Sequence, residues 1–119
     1  MVIDDERAIR DRMHELLSRW GCLCVSAAEP MHAIARLDAA GAPHLIICDL
    51  HLAGAPTGIA VIGDLRRRCG TSIPALLVTA DTSPAHLHDA RDAGCLLQHK
   101  PVRPVQLRAA CNHLLATAV

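Results

Sequence analysis

Leu45-Ile46-Ile47-Cys48-Asp49 is the stretch that decides the fold. Four apolar residues in a row ending on a carboxylate fit a strand buried on both faces, as in a parallel sheet covered by helices. Toward the amino terminus, Glu29 to Ala40 reads as a helix, with Pro30 in its first turn and Gly41 as its stop. Leu23-Cys24-Val25 reads as a strand before it. Residues 6–20 carry Ile9, Met13, Leu16, Leu17 and Trp20 on one helical face that Gly21 ends, and Val2-Ile3 is the stub of a first strand. Toward the carboxyl terminus, residues 59–69 place Ile59, Ile62 and Leu65 at helical spacing. Arg66-Arg67-Arg68 there reads as a solvated helix terminus, favoured by the negative helix end. Pro74 to Val78 is a fourth strand. Ser83 as a cap and Pro84 after it open a fourth helix, which Gly94 closes. Cys95-Leu96-Leu97 is a fifth strand, and Pro104 opens a last helix with Leu107, Cys111, Leu114 and Leu115 on one face. Strand then helix, five times over, predicts an α/β domain with a parallel sheet between two helix layers and right-handed crossovers. No linker, repeat or low-complexity segment interrupts it, so residues 1–119 are expected to form one domain. A central strand usually runs about five residues, and the short first strand raises the expectation of a trimmed amino terminus.

The chain of 119 residues is long enough for a core without metal or disulfide staples, and 51% of it is apolar. Its 12 basic and 12 acidic side chains balance to a net charge of zero, which argues against a direct nucleic-acid partner. No apolar run approaches the roughly 18 residues of a membrane span, and the first residues lack the layout of a signal peptide; a cytoplasmic protein is expected. Six cysteines without a C-x-x-C pair fit buried thiols at Cys22, Cys24, Cys48, Cys95 and Cys111, with Cys69 the most exposed. With no Phe or Tyr and one Trp, the core is left to Leu, Ile, Val, Ala and Cys. Lys100 is the single lysine against eleven arginines, which suggests a position that needs a compact point charge.

In an open α/β sheet, ligands bind beyond the carboxyl ends of the strands. Asp4 and Asp5 follow the first strand, Asp49 the third, Thr79 the fourth, and Lys100 with Pro101 the fifth. Each alone has an ordinary explanation as a cap or turn residue; together they are far more specific. Two carboxylates about 4 Å apart cost roughly 4 kcal/mol at an effective dielectric near 20. Three carboxylates therefore call for a cation, and hard oxygen ligands suit Mg²⁺ or Mn²⁺. An oxygen nucleophile, a metal and further donors are what phosphoryl transfer needs.

On Ile3-Asp4-Asp5-Glu6, Leu45 to Leu52, Leu77-Val78-Thr79-Ala80 and Lys100-Pro101, the chain resembles a receiver domain of the bacterial two-component response-regulator family, over nearly its whole length. The resemblance implies a flavodoxin-like doubly wound (βα)₅ sandwich with strand order 2-1-3-4-5. It casts Asp49 as the phosphoacceptor, receiving a phosphoryl group from a sensor histidine kinase or phosphotransfer histidine domain. It casts Asp4, Asp5, Asp49 and the main-chain carbonyl of His51 as metal ligands. Thr79 and Ala80 become phosphoryl-binding switch residues, Lys100 the cation that pairs with the phosphoryl group, and Lys100-Pro101 a cis peptide. The face of the fourth helix, fifth strand and fifth helix would carry the readout; a homodimer is compatible with this.

The chain departs from the family pattern in three places. Leu97 stands where an aromatic switch residue is usual. The loop from Leu52 to Gly58 is one residue longer than the common form. His51 occupies the position, two after the phosphoacceptor, that influences phosphoryl lifetime. The long loop, Leu97 and the ending Lys100 to Arg108 resemble receivers at the carboxyl end of hybrid sensor histidine kinases. The weighed rivals are a phosphorylation-silent scaffold of the same fold and an aspartyl phosphatase of the haloacid-dehalogenase type. The phosphatase type wants Asp-x-Asp where Asp49-Leu50-His51 stands. A phosphocarrier histidine at His14 is also disfavoured, because Met13, Leu16 and Leu17 make that helix core-facing. His86 and His88, two apart on a helix, point to different faces and make no metal pair.

Overall fold

Ile46 to Asp49 forms β3, fully buried at the centre of a sheet whose strand order is β2-β1-β3-β4-β5. The computed structural model of the chain describes residues 1–52, 57–81 and 83–117. Around β3 lie β1 (Val2–Ile3), β2 (Ser26–Ala27), β4 (Ala75–Thr79) and β5 (Leu96–His99), and every pairing is parallel. The helices are α1 (Arg7–Arg19), α2 (Pro30–Ala40), α3 (Gly58–Cys69), α4 (Pro84–Asp92) and α5 (Pro104–Thr117). The parallel sheet between two helix layers is what the alternation predicts, and the strand order makes it the flavodoxin-like, doubly wound fold that the resemblance implies.

The helices divide the core in two. On one face Ile3, Ile46, Cys48, Ala75 and Leu77 meet α2, α3 and α4 through Leu37, Ile62, Leu65 and Ala90. On the other Val2, Ile47, Leu76 and Val78 meet α1 and α5 through Met13, Leu16, Leu17, Leu107 and Leu114. Successive strand residues alternate between the two clusters because their side chains point to opposite faces. Both faces are apolar, which explains the unbroken apolar runs in β3 and β4.

Several expectations need correction. The second strand is Ser26–Ala27, and Leu23 is fully exposed. The parallel register pairs Val2 with Ser26 and Ile3 with Ala27. The apolar triplet before it is the approach to the sheet edge. The fifth strand starts at Leu96, with Cys95 buried just before it. Cys22 is exposed, Cys24 and Cys69 are half-buried, and only Cys48, Cys95 and Cys111 are buried. Leu115 is exposed, one step off the buried face of α5. Ser83 makes no side-chain cap bond at α4; its backbone N–H donates to Asp81 instead. Arg66 is half-buried and tied down rather than fully solvated: its guanidinium donates to the carbonyls of Ile73, Ala93 and Gly94 at 2.9, 2.6 and 3.4 Å. It thereby ties α3 to the turn before β4 and to the end of α4. The longer loop noted in the sequence falls mainly on residues 53–56, outside those described.

Candidate functional site

The carboxyl ends of β1, β3 and β4, with the turn after β5, bring together Asp4, Asp49, Thr79 and Lys100. The first three are buried and Lys100 nearly so, its side chain 18% exposed. Two hydrogen bonds place these ends. Leu50 N–H donates to the Val78 carbonyl, and Lys100 N–H donates to the Thr79 carbonyl at 2.8 Å. The Lys100-Pro101 peptide is cis, as expected.

Lys100 Nζ donates to Asp49 Oδ2 at 2.9 Å and to Asp4 Oδ2 at 3.3 Å. The other oxygens are held by backbone: Asp49 Oδ1 accepts from His51 N–H at 3.1 Å, and Asp4 Oδ1 from Glu6 N–H at 2.9 Å. Arg10 donates to the Asp4 carbonyl at 2.7 Å, anchoring the turn between β1 and α1. Asp5 is exposed, and its carboxylate, with those of Asp4 and Asp49, offers ligand oxygens within 4.8 Å of one another. Three anionic oxygen donors with one ammonium suit a small hard cation, so the residues present fit Mg²⁺ or Mn²⁺.

The electrostatics bear the mark of this crowding. Burial pushes the Asp4 carboxyl above its ordinary range; the Glu6 amide and Lys100 pull it back only in part, and Asp49 adds to the rise. Burial pulls the Lys100 ammonium down, but the hydrogen bond to Asp49 and the charges of Asp4 and Asp49 outweigh it, and the net shift is upward. Arginine could not place one compact charge between two carboxylate oxygens in this way.

The remaining predicted residues divide. Thr79 lies at the end of β4, fully buried, its Oγ1 accepting from Asp81 N–H at 3.0 Å. Ala80 follows it, exposed. His51 meets Asp49 through its amide, while its imidazole turns toward Asp81 at 3.6 Å. Leu97 is away from the acidic cluster, half-buried against the core and paired with Leu77 across β4 and β5.

Two participants escape a motif reading. Gly58, the first residue of α3, donates its N–H to the Leu50 carbonyl at 2.7 Å, and a Cβ there would lie 2.3 Å from the Asp49 carbonyl oxygen. Asp81 gathers Thr79, Ser83, His51 and His86 around itself; its only sequence signal is a carboxylate two residues after the strand-end threonine.

Comparison with known proteins agrees with this geometry. The two-component response regulator PprB of Pseudomonas aeruginosa is 31% identical over 110 residues, covering 90% of this chain and 40% of PprB. The chain thus spans less than half of that relative's length. The chemotaxis protein CheY4 of Vibrio cholerae superposes with a TM-score of 0.85 at 24% identity, covering 95% of this chain and 94% of CheY4. The receiver domain of NtrX from Brucella abortus gives 0.86 at 24% identity, covering 98% and 97%. These two likenesses concern the fold alone. Residues 1–112 match the model of the response regulator receiver domain, and the chain belongs to that family of two-component signalling proteins.

Proposed function

We propose that Asp49 accepts a phosphoryl group from a phosphohistidine on a sensor histidine kinase or a phosphotransfer histidine domain, and that residues 1–119 act as one receiver. The observation that carries this reading is the Lys100 ammonium 2.9 Å from Asp49 Oδ2, beside a cluster of three carboxylates. In the reaction an Asp49 oxygen forms a bond to phosphorus, the phosphorus–nitrogen bond to the donor imidazole breaks, and an acyl phosphate results. The released imidazole nitrogen takes a proton from solvent.

Asp4, Asp5 and Asp49, with the His51 carbonyl, would hold Mg²⁺ or Mn²⁺, which when bound neutralises charge on the transferring phosphoryl oxygens. Lys100 supplies a further positive charge next to the acceptor oxygen and follows the charge onto the phosphoryl group. The His51 amide, already donating to Asp49 Oδ1, keeps the carboxylate plane oriented. Thr79 turns its hydroxyl from the Asp81 amide to a phosphoryl oxygen, with the Ala80 amide as a neighbouring donor. That movement alters the segment leading into α4 and signals occupancy.

On this reading the reaction belongs in the cytoplasm, because that is where a sensor kinase would present its phosphohistidine. Separately, no described helix is long and apolar enough to cross a membrane. A hybrid sensor kinase is the parent protein we favour, on Leu97 and the sequence from Lys100 to Arg108. The alternative of a phosphorylation-silent scaffold loses ground because none of the acceptor, acidic, hydroxyl and lysine positions is lost. Intact mass after incubation with acetyl phosphate and Mg²⁺ tests the reading. Wild type should gain one phosphoryl group and Asp49→Asn none. Equal labelling of both, or none in a wild type shown to bind Mg²⁺, would remove Asp49 as acceptor.

A further inference from the structure

We propose that His51, Asp81 and His86 form a second cation site in this domain, suited to a first-row transition ion such as Zn²⁺ and separate from the three-carboxylate cluster. The three residues come from different places in the chain. His51 follows β3, Asp81 follows β4, and His86 lies in the first turn of α4. Yet both imidazole Nε2 atoms aim at one oxygen, Asp81 Oδ2, at 2.8 Å from His86 and 3.6 Å from His51. The rings meet edge to face with centroids 5.2 Å apart, and all three ligand atoms lie within 4.8 Å of one another.

The spacing suits coordination. Zinc bonds to histidine nitrogen and carboxylate oxygen run about 2.0–2.1 Å, so ligand atoms on a tetrahedral ion stand roughly 3.3 Å apart. The two nitrogen–oxygen separations fall on either side of that value, so small side-chain rotations would seat the ion. Asp81 is already anchored for the task. Its Oδ1 accepts from Ser83 N–H at 2.9 Å and its own N–H donates to Thr79 Oγ1, leaving Oδ2 to face the imidazoles. The Ser83 amide first, then the bond to His86, holds its carboxyl below the ordinary range, so it is anionic at neutral pH.

A simple ion pair accounts for less of this. The 2.8 Å contact explains His86, but His51 at 3.6 Å lies beyond hydrogen-bond reach of the same oxygen, and two imidazoles converging on it is the arrangement a cation between them would organise. The amino-terminal end of α4 disfavours positive charge near His86, and the full negative charge of Asp81 in contact offsets it. His51, Asp81 and His86 side chains are 53%, 43% and 25% exposed, so water can complete the coordination shell. Ligand chemistry keeps the two sites apart: imidazole nitrogen prefers zinc, copper or nickel, whereas three carboxylates suit magnesium. The sites share no side chain, but an ion at the second would tie the residue two beyond Asp49 to the residue two beyond Thr79.

The test is a Zn²⁺ titration of the whole chain against a chromophoric chelator, in saturating Mg²⁺. Wild type is set beside His51→Ala, His86→Ala and a Cys22→Ser/Cys24→Ser double variant. Thermal melts in Mg²⁺ alone establish that each variant is folded. The proposal expects one equivalent of Zn²⁺ bound by wild type and by the cysteine variant. Each histidine variant should bind at least about tenfold more weakly, as removal of a ligand should cost no less than removal of its supporting partner. Absence of a one-equivalent site in wild type, its retention in either histidine variant, or its loss in the cysteine variant would each overturn the assignment.

Discussion

Gly58→Ala and Gly63→Ala lie five residues apart on α3 and should have opposite effects on stability. At Gly58 an added Cβ would stand 2.3 Å from the Asp49 carbonyl oxygen and 3.0 Å from both Asp49 C and Leu50 Cα, all backbone atoms that cannot swing aside. Reaching the 3.4 Å edge of ordinary contact requires a displacement of about 1.1 Å, from 2.3 to 3.4 Å. That displacement breaks the 2.7 Å bond from Gly58 N–H to the Leu50 carbonyl. A lost hydrogen bond costs about 1 kcal/mol and overpacking about 1–3 kcal/mol, against a chain-entropy gain of about 0.4–1 kcal/mol. The net expectation is a loss of about 1–3.5 kcal/mol. At Gly63 the nearest atom is the far end of the Arg67 side chain at 3.5 Å, an ordinary contact. Alanine there should stabilise by about 0.5–1 kcal/mol through helix propensity alone. Urea denaturation of the two variants beside wild type reads both signs in one experiment. A Gly58→Ala variant as stable as Gly63→Ala would refute the claim that close backbone approach at the Asp49 strand end requires glycine.

Asp4 and Lys100 both have raised pKa values in the fold, and a raised group stabilises below its unfolded pKa and ceases to as pH climbs through the folded value. For Asp4 the loss begins above 3.8. Without divalent cation, the stability advantage of Asp4→Asn over wild type should therefore grow from pH 4 to pH 7 in denaturation curves, and Mg²⁺ should shrink it; a flat difference would count against buried carboxylate strain. For Lys100 the loss lies above 10.5, outside that window. Arg66→Lys should cost about 2 kcal/mol or more in thermal unfolding, since lysine cannot span three carbonyls with one planar fork; near-wild-type melting would show those bonds to be incidental. In native alkylation followed by mass mapping, Cys22 should react first. Cys111, pushed by burial to about 11, and Cys48, pushed higher still, should react last, and early modification of either would contradict the packing. Asp81→Ala should leave phosphoryl uptake intact yet reduce the response of α4 amide exchange to phosphorylation; an unchanged response would exclude Asp81 from the signal route.

What could be read from the chain alone follows from where its physics is local. Ile46 to Asp49 and Ala75 to Thr79 are buried on both faces, so their apolar runs announce them directly. Asp4, Asp49 and Thr79 announce themselves because they end such runs at strand termini, and Lys100, which follows the polar Gln98-His99, because it is the single lysine of the chain and stands before Pro101. The sequence alone points to Leu23–Val25 for β2 because that apolar triplet outweighs the polar Ser26 in any local reading. Only the parallel register with β1 reveals that the edge strand is Ser26–Ala27. Arg66 illustrates the same limit. Three arginines in a row look alike in sequence, and which of them faces carbonyls 7 to 28 residues away depends on the packing of α3 against the end of α4. His86 and His88 could be separated by helical geometry, and the separation holds, with His86 on Asp81 and His88 on Asp92. The convergence of His51 on the same carboxylate could not be foreseen, because it joins the ends of two different strands.

Leu97 raises the question of how a change at Asp49 would travel without an aromatic ring. The side chain already packs against the core beside Leu77, so no bulky group stands outside, ready to turn in. Thr79 has a different connection. Its hydroxyl accepts from the amide of Asp81, whose carboxylate accepts from the Ser83 amide at the head of α4 and meets His86 in the first turn of that helix. If Thr79 turned to a phosphoryl group on Asp49, the Asp81 amide would lose a partner worth about 0.5–1.5 kcal/mol. Two members of the polar chain beyond it belong to α4 itself, Ser83 as its cap and His86 within its first turn. An energy of that size is enough to shift a two-state segment by roughly two- to tenfold. It would reach α4 through hydrogen bonds without requiring any movement of Leu97. On that proposal, the absence of the ring would change the carrier of the signal, from packing in the core to a polar chain along the rim, and would leave its destination in place.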